Sequence, residues 1–228
     1  MDKDYQNISL LSEINKKINT LNKTRDNRIN LNKRLKKYNE KWRVVFFFLN
    51  IEAVVFVIFT LAGGSIINRP SSGIFTIISG VFTIYVILSQ YYVNQLNYGE
   101  RALKVHYHQL DIEDLILKLK TLILQREYTT DSKEVISRFN IIMEEYQRIL
   151  KNNENHDDID NKLREITELN KNVSDNSTKK SKENINSTEE ESCLKVKKSD
   201  PIDLSIDNVF LTFNISLLFI LFLSFLFY

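Results

Sequence analysis

Apolar residues along the chain are gathered into three blocks, and charged or amide residues fill the intervals between them. The first block, Val44 to Ala62, runs for 19 residues with Asn50 and Glu52 as its strongly polar members. The second, Ile74 to Val93, has 20 residues relieved only by Thr, Ser, Gly, Tyr and Gln. The third is Val209 to Tyr228. At about 1.5 Å of rise per residue, each reaches close to the roughly 30 Å of a bilayer's hydrocarbon layer. Pro70 and the pair Gly63–Gly64 fall between the first two blocks. The pattern therefore predicts an antiparallel hairpin of two spans, 44–62 and 74–93, joined by a short turn. Val209 to Tyr228 predicts a third span. The first block lies too far into the chain and is too long for a signal peptide's apolar core, so it is expected to stay in the protein.

Outside the spans the apolar positions recur at three and four, the period of one helical face. Leu11, Ile14, Ile18 and Leu21 begin such a face, which continues through the polar Arg25, Arg28 and Asn32 before Leu35 and Trp42 restore it. One helix from about residue 8 into the membrane is expected, with a polar interruption midway. Val105, His108, Ile112, Leu115, Leu119 and Leu122 repeat the alternation after the second span, and Ile116 and Ile123 widen it to suit a small bundle. Asp131 and Glu134 resemble a capping box ahead of Val135, Phe139, Ile142, Tyr146 and Ile149. Ile159, Leu163 and Ile166 mark one more short helix. These faces are suited to core packing, to self-association or to a partner. Residues 172–200 hold almost nothing apolar, and the stretch 172–208 is expected to be a disordered tether.

Composition corrects a first impression here. The 228 residues are 43% hydrophobic and 26% charged, averages typical of a soluble protein, yet they contain only 5 Gly and 2 Pro. Sheet-rich folds need more turns than that allows, so the class is all-α. The formal charge of +2 conceals a strong asymmetry. Residues 1–43 carry +7 and residues 44–93 carry 0, while −5 lies beyond. The positive-inside rule then puts the N-terminus and residues 94–208 in the cytoplasm and the hairpin turn outside, in a multi-pass plasma-membrane protein. The expected layout is a basic amphipathic helix over 1–43, the hairpin over 44–93, and a cytoplasmic helical bundle or stalk over 94–171. The tether over 172–208 and a C-terminal transmembrane helix over 209–228 complete it.

Candidate chemistry is sparse. The single Cys193 excludes an internal disulfide, and no glycine-rich loop ending in Gly-Lys-Ser/Thr is present. His106 and His108, two residues apart on a helix, point about 200° from one another and do not share a metal. No catalytic, cofactor-binding or metal-binding set emerges, and no enzyme or cofactor is expected. The basic N-terminal region lies beside a span, so anionic lipid rather than nucleic acid is its expected partner. Polar groups within the spans say more. Glu52 is costly in hydrocarbon, by about 2–3 kcal/mol or more, and should face protein, water or a cation, or be protonated. Thr76, Thr83, Gln90 and Asn97 recur every seven residues, with Ser79 and Gly80 beside the first two. Such a stripe serves close helix packing, or it lines a pore once several hairpins assemble.

Tyr98, Arg101, Ala102 and Leu110 follow the second span; later come Tyr146, Ile149 and Leu150, then Glu154-Asn155-His156 and Asp160. Together with the basic helix, hairpin and long following helix, these residues make residues 10–170 resemble the SLATT proteins. Those are two-span effectors associated with SMODS and SLOG nucleotide-signalling systems, and the likeness is to the reverse-transcriptase-associated subgroup. The tether and third span lie outside that two-span plan. The resemblance implies a homo-oligomeric membrane effector of bacterial conflict or antiviral defence (abortive infection), permeabilising the membrane on a cytoplasmic trigger. It also implies a neighbouring gene encoding a reverse transcriptase or nucleotide-signalling protein. Tyr98, Arg101, Tyr146, Glu154, Asn155, His156 and Asp160 would carry the family motif or receive the signal. The alternative is a non-conducting membrane scaffold whose stalk recruits a soluble partner.

Overall fold

A computed structural model describes residues 9–62, 73–126, 132–151, 157–183, 201, 203 and 205–226. Among them lie six helices and no strand: α1 (Leu10–Ala62), α2 (Gly73–Gln95), α3 (Tyr98–Arg126), α4 (Ser132–Lys151), α5 (Asp158–Glu183) and α6 (Ile206–Leu226). The protein is an all-α membrane protein, and α1 and α2 each carry a stretch long and apolar enough to cross a bilayer. The chain divides into two compact units, Met1–Lys33 with Ala102–Ile202, and Arg34–Arg101 with Asp203–Tyr228.

The first unit is built on the three-and-four spacing of its helices. Ile14 and Leu21 of α1, Ile112, Leu115, Ile116, Leu119 and Leu122 of α3, and Val135 and Ile142 of α4 form one core. Leu10, not Leu11, continues the α1 face into this core. The whole face from Val105 to Leu122 on α3 is buried, so it serves internal packing. Each such leucine or isoleucine removes enough apolar surface from water to contribute about 1.5–3 kcal/mol. The surface ion pairs of Lys118 with Asp114 and Glu145, and of Arg138 with Glu134, add under about 1 kcal/mol each.

α1 is unbroken for 53 residues, about 80 Å. The polar stretch midway along it is no interruption, because Asn27, Arg28 and Asn32 are themselves buried. α5 runs to Glu183 and so takes in residues 172–183, which composition assigns to the tether. A helix already nucleated at Asp158 extends at little cost through residues that would not start one. Residues 184–200, the hairpin turn at 63–72 and the Asp131 half of the expected capping box lie outside the described residues.

In the second unit, α1, α2 and α6 pack through a line of rings. Phe56 meets Phe75 and Phe82 at centroid distances of 5.8 and 5.3 Å, and Trp42 and Tyr92 meet Phe210 at 5.3 and 5.7 Å. Leu49, Ala53, Val86 and Leu211 are buried among these helices. The opposite faces, including Phe47, Ile51, Val54, Ile77, Val81 and Ile84, are exposed. An apolar surface of that extent suits lipid. α2 ends where Asn97 takes a left-handed conformation, φ 46°, a geometry Asn tolerates better than most residues. Its carbonyl then accepts the Arg101 N–H at 2.9 Å and opens α3.

Candidate functional site

The span candidates occupy the border of the packed face. Ser79, Phe82, Val86, Ser89 and Val93 form the buried side of α2. Ser79 therefore belongs to the packing, Thr83 and Gln90 are half-buried beside it, and Thr76 is exposed. The Thr83 hydroxyl donates to the Ser79 carbonyl at 2.9 Å, a bond within the helix that leaves its oxygen free to accept. Asn97 sits at the helix break and does not prolong the stripe. On α1, Glu52 is half-buried, and its Oε2 is enclosed without a hydrogen-bond partner among the described residues.

A second polar set, which the sequence pattern does not single out, fastens α6. Asn214, a lone amide within the third apolar block, is fully buried. It accepts from the Tyr85 hydroxyl at 3.0 Å and donates to the Phe210 carbonyl at 2.9 Å. At the start of α6, Asp203 accepts from the Tyr38 hydroxyl and from the Ser205 N–H at 3.0 Å, with the Arg34 guanidinium 3.9 Å away. Ser205 caps the helix by accepting the Asn208 N–H at 3.3 Å. Burial pushes the Tyr38 hydroxyl up to about 12, helped by the Asp203 carboxylate. Burial also opposes ionisation of Asp203, but the donors and Arg34 outweigh it and hold this carboxyl below its ordinary range. The acidic residues beside the third apolar block, which run against a simple count of flanking charge, thus include a counter-ion for the basic end of α1.

The family-motif residues divide between the units. Tyr98 is buried against Tyr38, with ring centroids 5.5 Å apart, and burial, then the Asp207 carboxylate, raises its hydroxyl pKa. Arg101 is half-exposed in the same unit. In the other unit, the Tyr146 ring lies 5.3 Å from the Lys17 ammonium, and Asp160 is fully buried. Asp160 accepts the Asp157 N–H at 3.1 Å, the back half of a capping box for α5. Its own carbonyl accepts from Asn30 at 3.2 Å, while Arg164 donates to Asn27 at 3.1 Å. Glu154, Asn155 and His156 lie outside the described residues.

The mid-helix polarity of α1 is thereby explained. Asn27 and Asn30 receive the start of α5, and Asn32 donates to the Ala102 carbonyl at 2.9 Å. His108 completes this layer at 1% exposure, with neither ring nitrogen hydrogen-bonded among the described residues. Burial, then the neighbouring Arg28 charge, pushes it down to about 4, so the ring is neutral at physiological pH. Among the described residues no group of three or more His, Cys, Asp or Glu is placed to hold a metal.

No curated protein and no solved structure matches the chain. A family model does, over residues 10–225. That range takes in α5, α6 and the stretch between them, so these belong to the matched architecture and are not outside it, as a likeness confined to 10–170 implies. With 10–225 of 228 residues matched, the chain belongs to the SMODS and SLOG-associating 2TM effector domain family 5.

Proposed function

We propose that the protein is the membrane effector of a bacterial conflict or antiviral defence system, and that it oligomerises and permeabilises the membrane when a cytoplasmic signal arrives. Membership of a two-span effector family supports the effector role. Glu52 carries the permeabilising step. It is an acidic side chain in a span, with one enclosed oxygen lacking a hydrogen-bond partner among the described residues. That is a costly arrangement for one copy, and it is relieved when neighbouring copies, water or a cation meet the carboxyl. Thr83 and Gln90, on the border of the packed face of α2, supply further polar lining. The basic end of α1, and the start of α6 held to it through Asp203, lie on the cytoplasmic side. α6 then crosses as a third span.

Induced expression is expected to collapse the membrane potential, read with a potential-sensitive dye. The pair Thr83→Leu and Gln90→Leu, and separately Glu52→Leu, should abolish the collapse while the protein still accumulates in the membrane. Growth arrest that persists in these variants without any ion leak overturns the pore. A stable complex with a soluble neighbour, without depolarisation at any expression level, would establish the non-conducting scaffold instead.

A further inference from the structure

α6 meets α1 and α2 through one face, on which Leu211 and Asn214 are fully buried. Phe210 lies against Trp42 of α1 and Tyr92 of α2, and Asn214 accepts from Tyr85 of α2. Just ahead of the helix, Asp203 accepts from Tyr38 of α1. On α2, Tyr85, Ser89 and Tyr92 follow one another at four and three residues, so they share a side of the helix. α6 therefore covers a hydroxyl-bearing side of a span, and Ser89 within it is buried. Thr83 and Gln90 lie on the other flank of α2, because Phe75 and Phe82, which meet Phe56 of α1, fall between the two. What α6 covers is thus distinct from the Thr83 and Gln90 lining.

We propose that α6 is an autoinhibitory cover: seated on its own chain it bars the assembly of copies, and it must leave that seat before they join. The inference deepens the oligomeric reading above and rests on it. With α6 gone from its seat, the Tyr85 hydroxyl and the Asn214 amide lose each other in the middle of an apolar layer. Polar groups stranded there are costly, and they are met again only by water or by polar groups of another copy. The seat within one chain and the contact between chains thus compete for the same donor and acceptor.

Three features make the seat one that α6 can give up. Lipid tails are as apolar as the helices, so burial alone does not drive α6 onto the hairpin, and packing with a few polar bonds has to hold it. The central bond is exchangeable, since the Asn214 amide finds the same Tyr85 hydroxyl on any other copy. The seat also strands a donor: Trp42 is 2% exposed, and its Nε1 has no hydrogen-bond partner among the described residues. A buried donor left unmet favours leaving. α1 and α2 are joined by the short connection 63–72, whereas residues 184–205 separate α6 from α5. α6 is therefore the helix that can depart without unmaking the hairpin.

The test uses the full chain in membranes, at matched expression, with assembly read by amine cross-linking and leak by membrane potential in the same cells. Tyr85→Phe, which strands Asn214, should raise the assembled fraction severalfold, and so should Asp203→Asn at the other end of the seat. Adding Asn214→Leu to Tyr85→Phe should bring assembly back toward the wild type, a rescue that general loosening would not give. In a Cys193→Ser background, Tyr92→Cys with Phe210→Cys can be joined by a short, reducible bis-methanethiosulfonate. That tether should hold the chain as single copies without leak, and reductant should restore both. Assembly that ignores the tether, or that is no higher in Tyr85→Phe than in the wild type, overturns the proposal. Assembly that obeys the tether without any leak keeps the cover and defeats the pore, whereas assembly and leak that both persist in the tethered chain do the reverse.

Discussion

The Tyr85 hydroxyl donates to Asn214 Oδ1 at 3.0 Å, tying α2 to α6 through an amide that is fully buried. Removing one partner of a buried hydrogen bond is worse than removing both, because the survivor keeps its desolvation penalty. Tyr85→Phe is therefore expected to destabilise the docking of α6 by about 1 kcal/mol, within the range found for polar pairs between apolar helices. Tyr85→Phe with Asn214→Leu should recover most of that loss. Denaturant unfolding in detergent micelles checks both, and a double variant weaker than Tyr85→Phe alone would show that the pair contributes net stability.

The seat of α6 on α1 should depend on pH at both extremes. Asp203 is ionised more readily in the folded chain than in the unfolded one. Its contribution is complete above the unfolded carboxyl's pKa of about 3.9 and fades as pH falls below it. Tyr38 has the opposite sense. With its hydroxyl raised to about 12, its contribution is complete below about pH 10 and is lost as pH climbs from there toward 12. Proteolysis near residue 205, followed across pH, should show both losses. Asp203→Asn should abolish the acid limb while weakening the seat at pH 7.

The hairpin was legible because each span is a nearly unbroken apolar run long enough to cross a bilayer. The core face of α3 was equally plain, since Ile112 to Leu122 follow one period. The polar set was not. Arg28 and Asn32 look like a gap in an amphipathic face, and nothing in the local pattern says that Ala102, His108 and the start of α5 come to meet that layer. Their partners lie 70 or more positions away in the chain, as Asn32 and Ala102 do. Asp203 was visible only as a charge at odds with the topology count, and the helix over 172–183 was hidden because composition measures burial and not propagation.

Asp160 holds the start of α5 through both its side chain and its backbone. Its carboxylate takes the Asp157 N–H, and its carbonyl takes the Asn30 amide. Asp160→Ala removes the first and keeps the second, so the lost helix cap alone should cost about 1 kcal/mol and fray the first turn of α5. Hydrogen exchange at the amides of 157–161 should rise, while those of α3 keep their protection. A loss of several kcal/mol would mean that the buried carboxylate has a larger role than capping.

His108 sets the acid limit of the first unit. Its ring is enclosed and neutral, and Arg28 stands beside it, so protonation would place a second cation in a layer that already holds one. The folded ring titrates near 4, whereas an unfolded one titrates near 6.5. The stability it supports is complete above about pH 6.5 and disappears progressively as pH falls toward 4. The shift corresponds to about 3 kcal/mol over that window. His108→Leu fills similar volume with no group to protonate and no donor or acceptor to leave unmet, so it should be neutral or stabilising at pH 7 and should flatten the acid limb. Melting curves at pH 7, 5.5 and 4.5 for the two proteins test this. A wild-type melting temperature that holds steady over that range, or a His108→Leu protein that falls in parallel with it, would place the acid sensitivity in some other group.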